Sequence, residues 1–388
     1  SSDLAEVEKY RLEARFMRAL AYTILIDTYG NPPFITEEHP IGSYMPEQIG
    51  RVALFEYIES ELLDIESKIA APRTNEYGRA DQGAVWFLLA RLYLNAEIYT
   101  GTAKWTEVIT YSKRVIGGGY TLAPEYSHLF MADNNTSAAK NEIIFPIIFD
   151  GNKIQTWGGM TYLVASSRSG SEKDIVDNGT QQAWDGNRAT EKLIDKFSYT
   201  DVTGDYPLSS DKRAIFFKKG RSKEITNPLN TFTTQGWSVF KFTNKTSTGG
   251  KGAHNDFPDT DFPYFRLADA YLMLAEAVVR GGSGSSTGEA LGYVNQLRRR
   301  AYGNDSGDIS TMNLNFIIDE RSRELYWEGT RRSDLIRFNM YTGSAYLWPM
   351  KGGQPSGVSI DAKYNLFPIP VADLMANPNL VQNTGYQN

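Results

Sequence analysis

The stretch from Arg321 to Phe338 reads RSRELYWEGTRRSDLIRF, and it interleaves charged and apolar residues at helical spacing. Residues three or four positions apart are neighbours on a helix, so acids in this stretch can pair with the arginines that follow them. The expected ion pairs are Glu328 with Arg331 and Arg332, and Asp334 with Arg337. Gly329 does not suit a helix interior, where Gly costs about 1 kcal/mol relative to Ala. A close approach of another backbone at this position would explain it.

The same periodicity extends over much of the chain. Leu12, Phe16, Leu20 and Ile24 recur at four-residue intervals and form one face of a helix, which Gly30 and the two prolines after Asn31 bring to an end. Similar patterns predict helices over residues 4–29, 47–69, 82–99, 105–116, 264–280, 289–301 and 313–338. The sequence therefore predicts a mostly α fold.

Three of these helices share a short pattern, in which an aromatic residue is followed by Ala at +3 and Tyr at +6. The matches are Phe16, Ala19 and Tyr22; Phe87, Ala90 and Tyr93; and Phe265, Ala268 and Tyr271. A large-small-large ridge suits the close packing of helix pairs, as in tetratricopeptide-like repeats. Three matches also arise by coincidence in an all-α core, so the pattern favours helical repeats without requiring them.

The middle of the chain has a different composition. Between residues 131 and 262, Gly, Ser, Thr, Asn and Asp dominate, helical periodicity is confined to about 188–197, and short β-like runs occur at 142–149 and 238–243. We therefore divide one overall domain into an N-terminal helical region (1–130), a loop-rich insertion (131–262) and a C-terminal helical region with a Pro- and Gly-rich tail (263–388). Binding function tends to lie on loops held by a rigid framework, so the insertion is the expected ligand region.

Composition excludes several classes of protein and site. The net charge is −6 and no stretch is strongly basic, which argues against nucleic acid and against a polybasic membrane patch. The absence of Cys excludes disulfides, thiolate metal sites and thiol nucleophiles. No run approaches the roughly 18 apolar residues of a membrane span. The chain starts at Ser1 without Met or a signal peptide, so we expect a processed or shortened chain.

A search for catalytic motifs finds little. His39, His128 and His254 are far apart in sequence and show no metal-binding spacing, and the Gly249–Gly252 turn lacks the Ser or Thr of a phosphate loop. A carboxylate pair for glycoside hydrolysis need only meet in space, and candidates in the insertion are Asp174, Asp177 and Asp185. Loop acids are usually solvated, so we expect no enzyme activity.

The first stretch and the tail together carry a family resemblance. Arg321 to Phe338 fits the pattern R-x-x-E-x-x-x-E-G-x-R-x-x-D-L-x-R, and the tail contains Pro368-Ile369-Pro370 followed by NPNLVQNTGY from Asn377. Further similar stretches are RALAY with YGNPPF near the start, GRADQGAVWFLLARLYLNAEIYTG from Gly78, LFMADN from Leu129, GGMTYLV from Gly158, FPDTDFP from Phe257, FRLADAYLMLAEA from Phe265 and LWPMKGG from Leu347. In these respects the chain resembles the SusD/RagB family over nearly its whole length.

The resemblance implies a fold and a cellular role. Family members have tetratricopeptide-like helical repeats with a loop-rich ligand face and no enzymatic activity. They are surface-exposed lipoproteins of the outer membrane that capture oligosaccharide for a SusC-like TonB-dependent transporter. Their membrane contact is a lipid anchor on an N-terminal segment that this sequence lacks, and in starch-binding members that segment contributes part of the ligand site.

Aromatic residues in polar loops are the candidate binding residues. Trp157 precedes Gly158, and Trp184 lies in a run rich in Gln, Asp and Asn. Aromatic faces stack on the C–H faces of sugar rings, although a loop Trp can also be buried in the core. In starch-binding family members, Trp184 matches a Trp and Trp157 matches a Tyr of an arc that cradles a curved α-glucan. Expected hydroxyl partners, by proximity alone, are Arg168, Gln181, Asp185 and Asn187.

Calcium is the one metal that the resemblance raises. Asp259 and Asp261 are hard oxygen ligands, and matching acids bind calcium in family members together with a third residue that corresponds here to Asn135, close to Asp133. Asn is a weaker, neutral ligand, and Asp261 could instead cap the helix expected after it. No cofactor is required by these observations.

Four functions remain open from the sequence. Capture of starch or another α-glucan comes first, and a peptide- or other-glycan-binding member of the family is the alternative. A glycoside hydrolase and a repeat scaffold that binds only protein are weaker hypotheses.

Overall fold

The computed structural model describes residues 2–387 and is mostly helical, as expected. Within these residues it has twelve α-helices: α1 (Ser2–Thr28), α2 (Arg51–Glu66), α3 (Gln82–Leu94), α4 (Ala96–Thr100), α5 (Trp105–Ile116), α6 (Gly159–Ser166), α7 (Glu191–Ile194), α8 (Leu267–Val279), α9 (Thr287–Tyr302), α10 (Leu314–Leu325), α11 (Arg331–Arg337) and α12 (Val371–Ala376). The described strands are β1 (Ile143–Ile147), β2 (Phe216–Phe217), β3 (Ser238–Val239) and β4 (Phe262–Arg266). The predicted fold class, helices with an insertion that carries short strands, is confirmed.

Helix pairs build the main core. Helix α1 packs on α2, α3 on α5, α5 on α8 and α8 on α9. All nine residues of the three sequence triplets are buried. The rings of Phe87 and Phe265 stack with their centroids 4.5 Å apart, so two of the triplets meet directly. Core residues from the first and the last predicted regions lie in one cluster, and the three-region division stays a prediction.

The third triplet does not lie wholly on a helix. The helix expected over 264–280 begins at Leu267, and the residues before it form β4. This strand pairs antiparallel with β1 through Phe145 opposite Phe265 and Ile147 opposite Phe262. Pro263 is accommodated because a two-stranded sheet has only edge strands.

The prediction of a single helix over 313–338 is wrong, because the chain turns between α10 and α11. Trp327 and Gly329 both have positive φ, at 63° and 77°. A Cβ on Gly329 would meet nothing within 4 Å, so the expected close backbone approach is also wrong, and the reason for Gly is the left-handed backbone itself. The Asp334–Arg337 ion pair is confirmed at 2.7 Å. Glu328, however, contacts neither Arg331 nor Arg332 as an ion pair.

Glu328 instead joins a large group of buried charges. It pairs with Arg266 and with Lys241, each at 2.6 Å. Arg298 and Arg323 also pair with Glu320 but are 12% and 13% exposed, so we define the buried ionic network as the remaining connected residues, which are Glu142, Asp211, Arg213, Lys241, Arg266, Arg300, Glu320, Glu324 and Glu328. None of these nine side chains is more than 4% exposed. The network therefore ties the insertion to the C-terminal helices.

Candidate functional site

Three aromatic rings lie together on the loop-rich insertion, and we call them the aromatic surface. The ring centroids of Trp157 and Trp184 are 5.7 Å apart with the planes tilted by 50°. Phe257 packs against Trp157 at 4.7 Å between centroids. Trp157 is 58% exposed, Trp184 is partly buried and Phe257 is buried. The two tryptophans expected to bind ligand are thus neighbours, and one of them projects into solvent.

A tight turn follows Trp157 directly. Residue 157 lies in the connection between β1 and α6, directly before Gly158 and Gly159. Gly159 has φ of 56°, and a Cβ there would come within 2.6 Å of the Phe149 ring. The positive φ and the close Phe149 ring both favour Gly at this position, two residues after the exposed Trp157.

Hydrogen bonds fix the orientation of Trp184. Its backbone N–H donates to the Ala165 carbonyl at 3.0 Å, and its indole Nε1–H donates to Gln182 Oε1 at 2.9 Å. Gln182 Nε2 in turn donates to Asp256 Oδ1 at 2.7 Å. Sequence reasoning missed Gln182, Asp256 and Phe257, although Gln182 adjoins the predicted Gln181 and Phe257 opens the FPDTDFP stretch of the family resemblance.

Arg168 lies beneath the loop and not on its surface. It is only 2% exposed, and its guanidinium donates to the carbonyls of Val176 at 2.9 Å and of Thr180 and Gln182 at 2.7 Å. Its burial lowers the pKa of the guanidinium. The position does not fit the expected contact with sugar hydroxyls, because these three bonds and the protein around them enclose the side chain. Arg168 is a framework residue of the loop that carries Trp184.

The other expected polar residues border the aromatic surface. Gln181 is exposed, and its carboxamide makes no hydrogen bond to any described residue. Asp185 is partly exposed, with φ of 63°. Asn187 donates from Nδ2 to Ser166 Oγ at 2.6 Å and accepts from the hydroxyl of Tyr162, an exposed residue that the sequence did not single out, at 3.3 Å. The ligand roles of Gln181, Asp185 and Asn187 stay predictions.

The residues considered for calcium are occupied largely by backbone donors. Asp259 Oδ1 accepts the N–H of Gly151 at 2.7 Å, its Oδ2 accepts that of Ala253, and Asp261 Oδ1 accepts that of Phe149 at 2.8 Å. Asp261 Oδ2 is buried without a hydrogen bond. Burial raises the pKa of Asp261 to about 6, against the opposing effect of the Phe149 N–H and the side chains of Tyr77 and Asn135.

These donors match calcium in kind, since all are oxygens, but two carboxylates and one amide are fewer than the six to eight oxygens that the ion takes. Among residues 2–387, no three His, Cys, Asp or Glu side chains gather as a ligand set. Calcium bound by Asp259, Asp261 and Asn135 stays a prediction.

Two of the three acids considered for hydrolysis, Asp177 and Asp174, lack the features of a general acid. Asp177 accepts the Gly179 N–H at 2.9 Å and pairs with Lys251 at 3.3 Å. Although burial opposes it, this N–H and Lys251 lower the pKa of Asp177, whereas a catalytic acid needs a raised one. Asp174 is exposed. These acids therefore resemble ordinary solvated or paired loop residues.

None of the helices in the described part of the chain combines the length and hydropathy needed to cross a bilayer.

Comparison with known proteins identifies relatives over the whole chain. A model of the SusD family matches residues 218–386. Surface glycan-binding protein A from Bacteroides fluxus has a TM-score of 0.75 at 21% identity, covering 98% of this chain and 79% of that chain. Surface glycan-binding protein A from Bacteroides thetaiotaomicron, solved in complex with laminarihexaose, has a TM-score of 0.72 at 19% identity, with coverages of 98% and 79%. At such identities these two structures show the shared fold.

Sequence identity gives the family itself. Starch-binding protein SusD of Bacteroides thetaiotaomicron is 38% identical in an alignment that covers 99% of this chain and 74% of that protein. The chain belongs to the SusD family.

Proposed function

We propose that this protein binds oligosaccharide on the aromatic surface without transforming it, and that its ligand is an α-glucan of the starch type. The observation that carries the proposal is the adjacency of Trp157 and Trp184, whose centroids lie 5.7 Å apart with the planes inclined at 50°. Two inclined plates suit successive rings of a curved chain, whereas a flat chain favours coplanar ones. The choice of α-glucan rests on the 38% identity to a starch-binding relative.

Binding at such a surface combines two kinds of contact. Each indole covers the apolar C–H face of a sugar ring, which removes hydrophobic area from water, and Phe257 supports Trp157 from below. Hydroxyls at the edge of the sugar can exchange water for the carboxamide of Gln181 and the side chains of Asp185 and Asn187. Since Gln182 holds the Trp184 indole before the ligand arrives, little ordering entropy is lost on binding.

The cellular part of the proposal follows from the family. We infer a surface-exposed lipoprotein of the outer membrane that delivers captured glycan to a SusC-like TonB-dependent transporter. Co-purification of the transporter with the full-length protein from outer membranes tests this part separately from glycan binding.

Affinity electrophoresis in gels that contain amylopectin tests the binding site. We expect the wild type to be retarded and Trp184→Ala to lose at least about 10-fold in affinity, because a stacked aromatic contributes more than 1 kcal/mol. Tyr10→Ala removes a ring that is 47% exposed on α1 and should keep full retardation. Equal mobility of wild type and Trp184→Ala on every glycan would reject the proposal.

Further controls separate the alternatives. Gels with laminarin in place of amylopectin compare β-linked with α-linked glucan. Stronger retardation by laminarin would indicate that the same site binds a β-linked glucan. Release of reducing sugar by the purified protein would indicate a hydrolase. Binding of oligopeptides with no glycan binding would indicate the peptide-importing alternative.

A further inference from the structure

A second aromatic cavity lies where the motif between α10 and α11 meets the loop that follows α11. It has a volume of about 330 Å³ and is lined by the rings of Trp327, Tyr341, Tyr346 and Trp348. None of its lining residues belongs to the aromatic surface. Two stretches of the family resemblance, RSRELYWEGTRRSDLIRF and LWPMKGG, therefore converge at this cavity.

The rings of the cavity present flat faces together with free polar groups. Tyr341 and Trp348 have centroids 5.8 Å apart and planes inclined by 28°, and Tyr346 lies 5.9 Å from Trp348. No described residue hydrogen-bonds to the indole N–H of Trp327 or Trp348 or to the hydroxyl of Tyr341 or Tyr346, and none of these four polar atoms is buried without a partner. They remain accessible to a ligand.

Ser322 provides an independent indication of a ligand. Its side chain lines the cavity, the residue is only 8% exposed, and its hydroxyl has no hydrogen-bond partner among the described residues. A Ser inside a helix usually donates to the carbonyl four residues earlier, which here is Ile318. That carbonyl instead accepts from Arg331 Nη1 at 3.0 Å. Ser322 Oγ is not among the fully buried polar atoms without a partner, so this hydroxyl is accessible from the cavity and a ligand there could bind it.

The cavity is held open by its surroundings. Lys351 is only 2% exposed; its ammonium donates to the carbonyls of Gly343 and Tyr346 at 2.8 Å and lies 4.5 Å from the centre of the Trp348 ring. Trp327, which also lines the cavity, adopts φ of 63°, which is rare for a bulky residue. Both tryptophans are therefore positioned before any ligand binds.

We propose that this cavity is a second saccharide site, which takes one or two pyranose rings at a chain end. Its volume falls near the lower end of ligand pockets, roughly 300–1,000 Å³, and is too small for a long oligosaccharide. The aromatic faces match sugar C–H groups, the indole and phenol groups match its oxygens, and Ser322 can both donate and accept. The proposal does not depend on binding at the aromatic surface.

Removal of the aromatic surface isolates the second site. In the Trp157→Ala/Trp184→Ala double variant, titration with maltose, cellobiose and laminaribiose by saturation-transfer NMR should still detect binding of at least one disaccharide, with millimolar Kd. Adding Trp348→Ala should weaken that binding at least 10-fold. Adding Ser322→Ala, which leaves the aromatic walls in place, should weaken it about 3-fold. Adding Tyr364→Ala, which removes a ring that is 44% exposed elsewhere on the tail, should leave it unchanged.

Two results would overturn the proposal. One is a folded double variant that binds none of the three disaccharides, and the other is residual binding that neither Trp348→Ala nor Ser322→Ala affects. Either result leaves the proposed function intact if the wild type still binds amylopectin. Conversely, amylopectin binding could persist in the Trp157→Ala/Trp184→Ala double variant and be lost in Trp348→Ala. That result would reject the aromatic surface as the glycan site and support the second site.

Discussion

In the buried ionic network none of the nine charged side chains is more than 4% exposed, whereas in the aromatic surface Trp157 is 58% exposed. The network places charges where hydrophobic residues are expected, and the surface places a large apolar ring where charges are expected. Each inversion has a cost, which is desolvation for the network and water-exposed apolar area for the surface. Multiple ion pairs compensate the first cost. The second is recovered only when something covers the ring, which is why the exposed ring and not the buried charge indicates a binding function.

Two buried carboxylates show how strongly the surroundings decide the state of a group. Burial alone would raise the pKa of Glu320, but Arg213, Arg323 and Arg298 together lower it to about 2. Asp261, in the insertion, has no such cations, and burial raises its pKa to about 6. The carboxylate of Glu320 is thus compensated by nearby cations, while that of Asp261 is not.

The largest effect is expected from a break in the network. Glu324 pairs with Arg213 at 3.0 Å and with Arg266 at 2.6 Å, and it also contacts Arg300. Glu324→Ala leaves three buried guanidiniums with less compensation, so we expect the free energy of unfolding in urea to fall by about 3–5 kcal/mol. The matched control is Glu8→Ala, which removes an exposed pair to Arg11 at 3.6 Å and should change stability by less than about 0.5 kcal/mol. Similar losses of stability in both variants would contradict the distinction between buried and exposed ion pairs.

A smaller effect, dependent on pH, is expected at Asp261. Its folded pKa of about 6 lies above the ordinary value of 3.8, so the folded state binds the proton more tightly than the unfolded state does. Stability therefore falls as pH rises from about 4 to about 6, by at most about 3 kcal/mol. Asp261→Asn removes this penalty, and its stability relative to the wild type should improve over the same pH window.

Calcium gives the Asp261 experiment a second use. If the ion binds to Asp259 and Asp261, millimolar calcium should stabilise the wild type at pH 7, relative to EDTA, and should leave Asp261→Asn largely unaffected. A stability difference between the two proteins that stays flat from pH 4 to 7 in EDTA would contradict the raised pKa.

An effect of about 1–2 kcal/mol is expected at Gly329, in the break between α10 and α11. Gly329 has φ of 77°, and a Cβ at this position would meet nothing within 4 Å, so only backbone conformation opposes substitution. Gly329→Ala should lower the free energy of unfolding by about 1–2 kcal/mol, and Gly329→Asn should lower it less, because Asn tolerates the left-handed region. Equal stability of the Ala variant and the wild type would show that the turn relaxes.

The sequence could predict those parts of the molecule that depend on local periodicity. The predicted bounds of α5 coincide with the observed ones, and two of the three aromatic-small-Tyr triplets lie on helices and are buried as their spacing indicates. Trp157 and Trp184 stand out because rings in Gly- and Asn-rich loops are hard to absorb into a helix interface, and because the family resemblance marks them. Their adjacency across 27 residues agrees with that choice.

Contacts between distant residues could not be predicted in the same way. Glu328 binds Lys241, 87 residues away, and nothing in the local charge pattern distinguishes that partner from the neighbouring arginines. Gln182 binds Asp256 across 74 residues. Likewise, a loop Arg such as Arg168 is normally exposed, and only the closure of the loop around it shows that backbone carbonyls take its donors.

The smallest effect is expected at Gln182. Its side chain holds the Trp184 ring of the aromatic surface in place through hydrogen bonds to the indole and to Asp256. Gln182→Leu removes the acceptor of the Trp184 indole and the donor to Asp256, so Trp184 should sample more orientations and bind glycan about 3–10-fold more weakly. Gln181→Leu is the matched control, because it changes an exposed carboxamide that holds no ring. Both variants could lower affinity, but only Gln182→Leu should alter the near-UV circular dichroism of the tryptophans without ligand. An unchanged spectrum in Gln182→Leu would mean that the packing of Trp184 against Trp157, and not the hydrogen bond, sets the orientation of the ring.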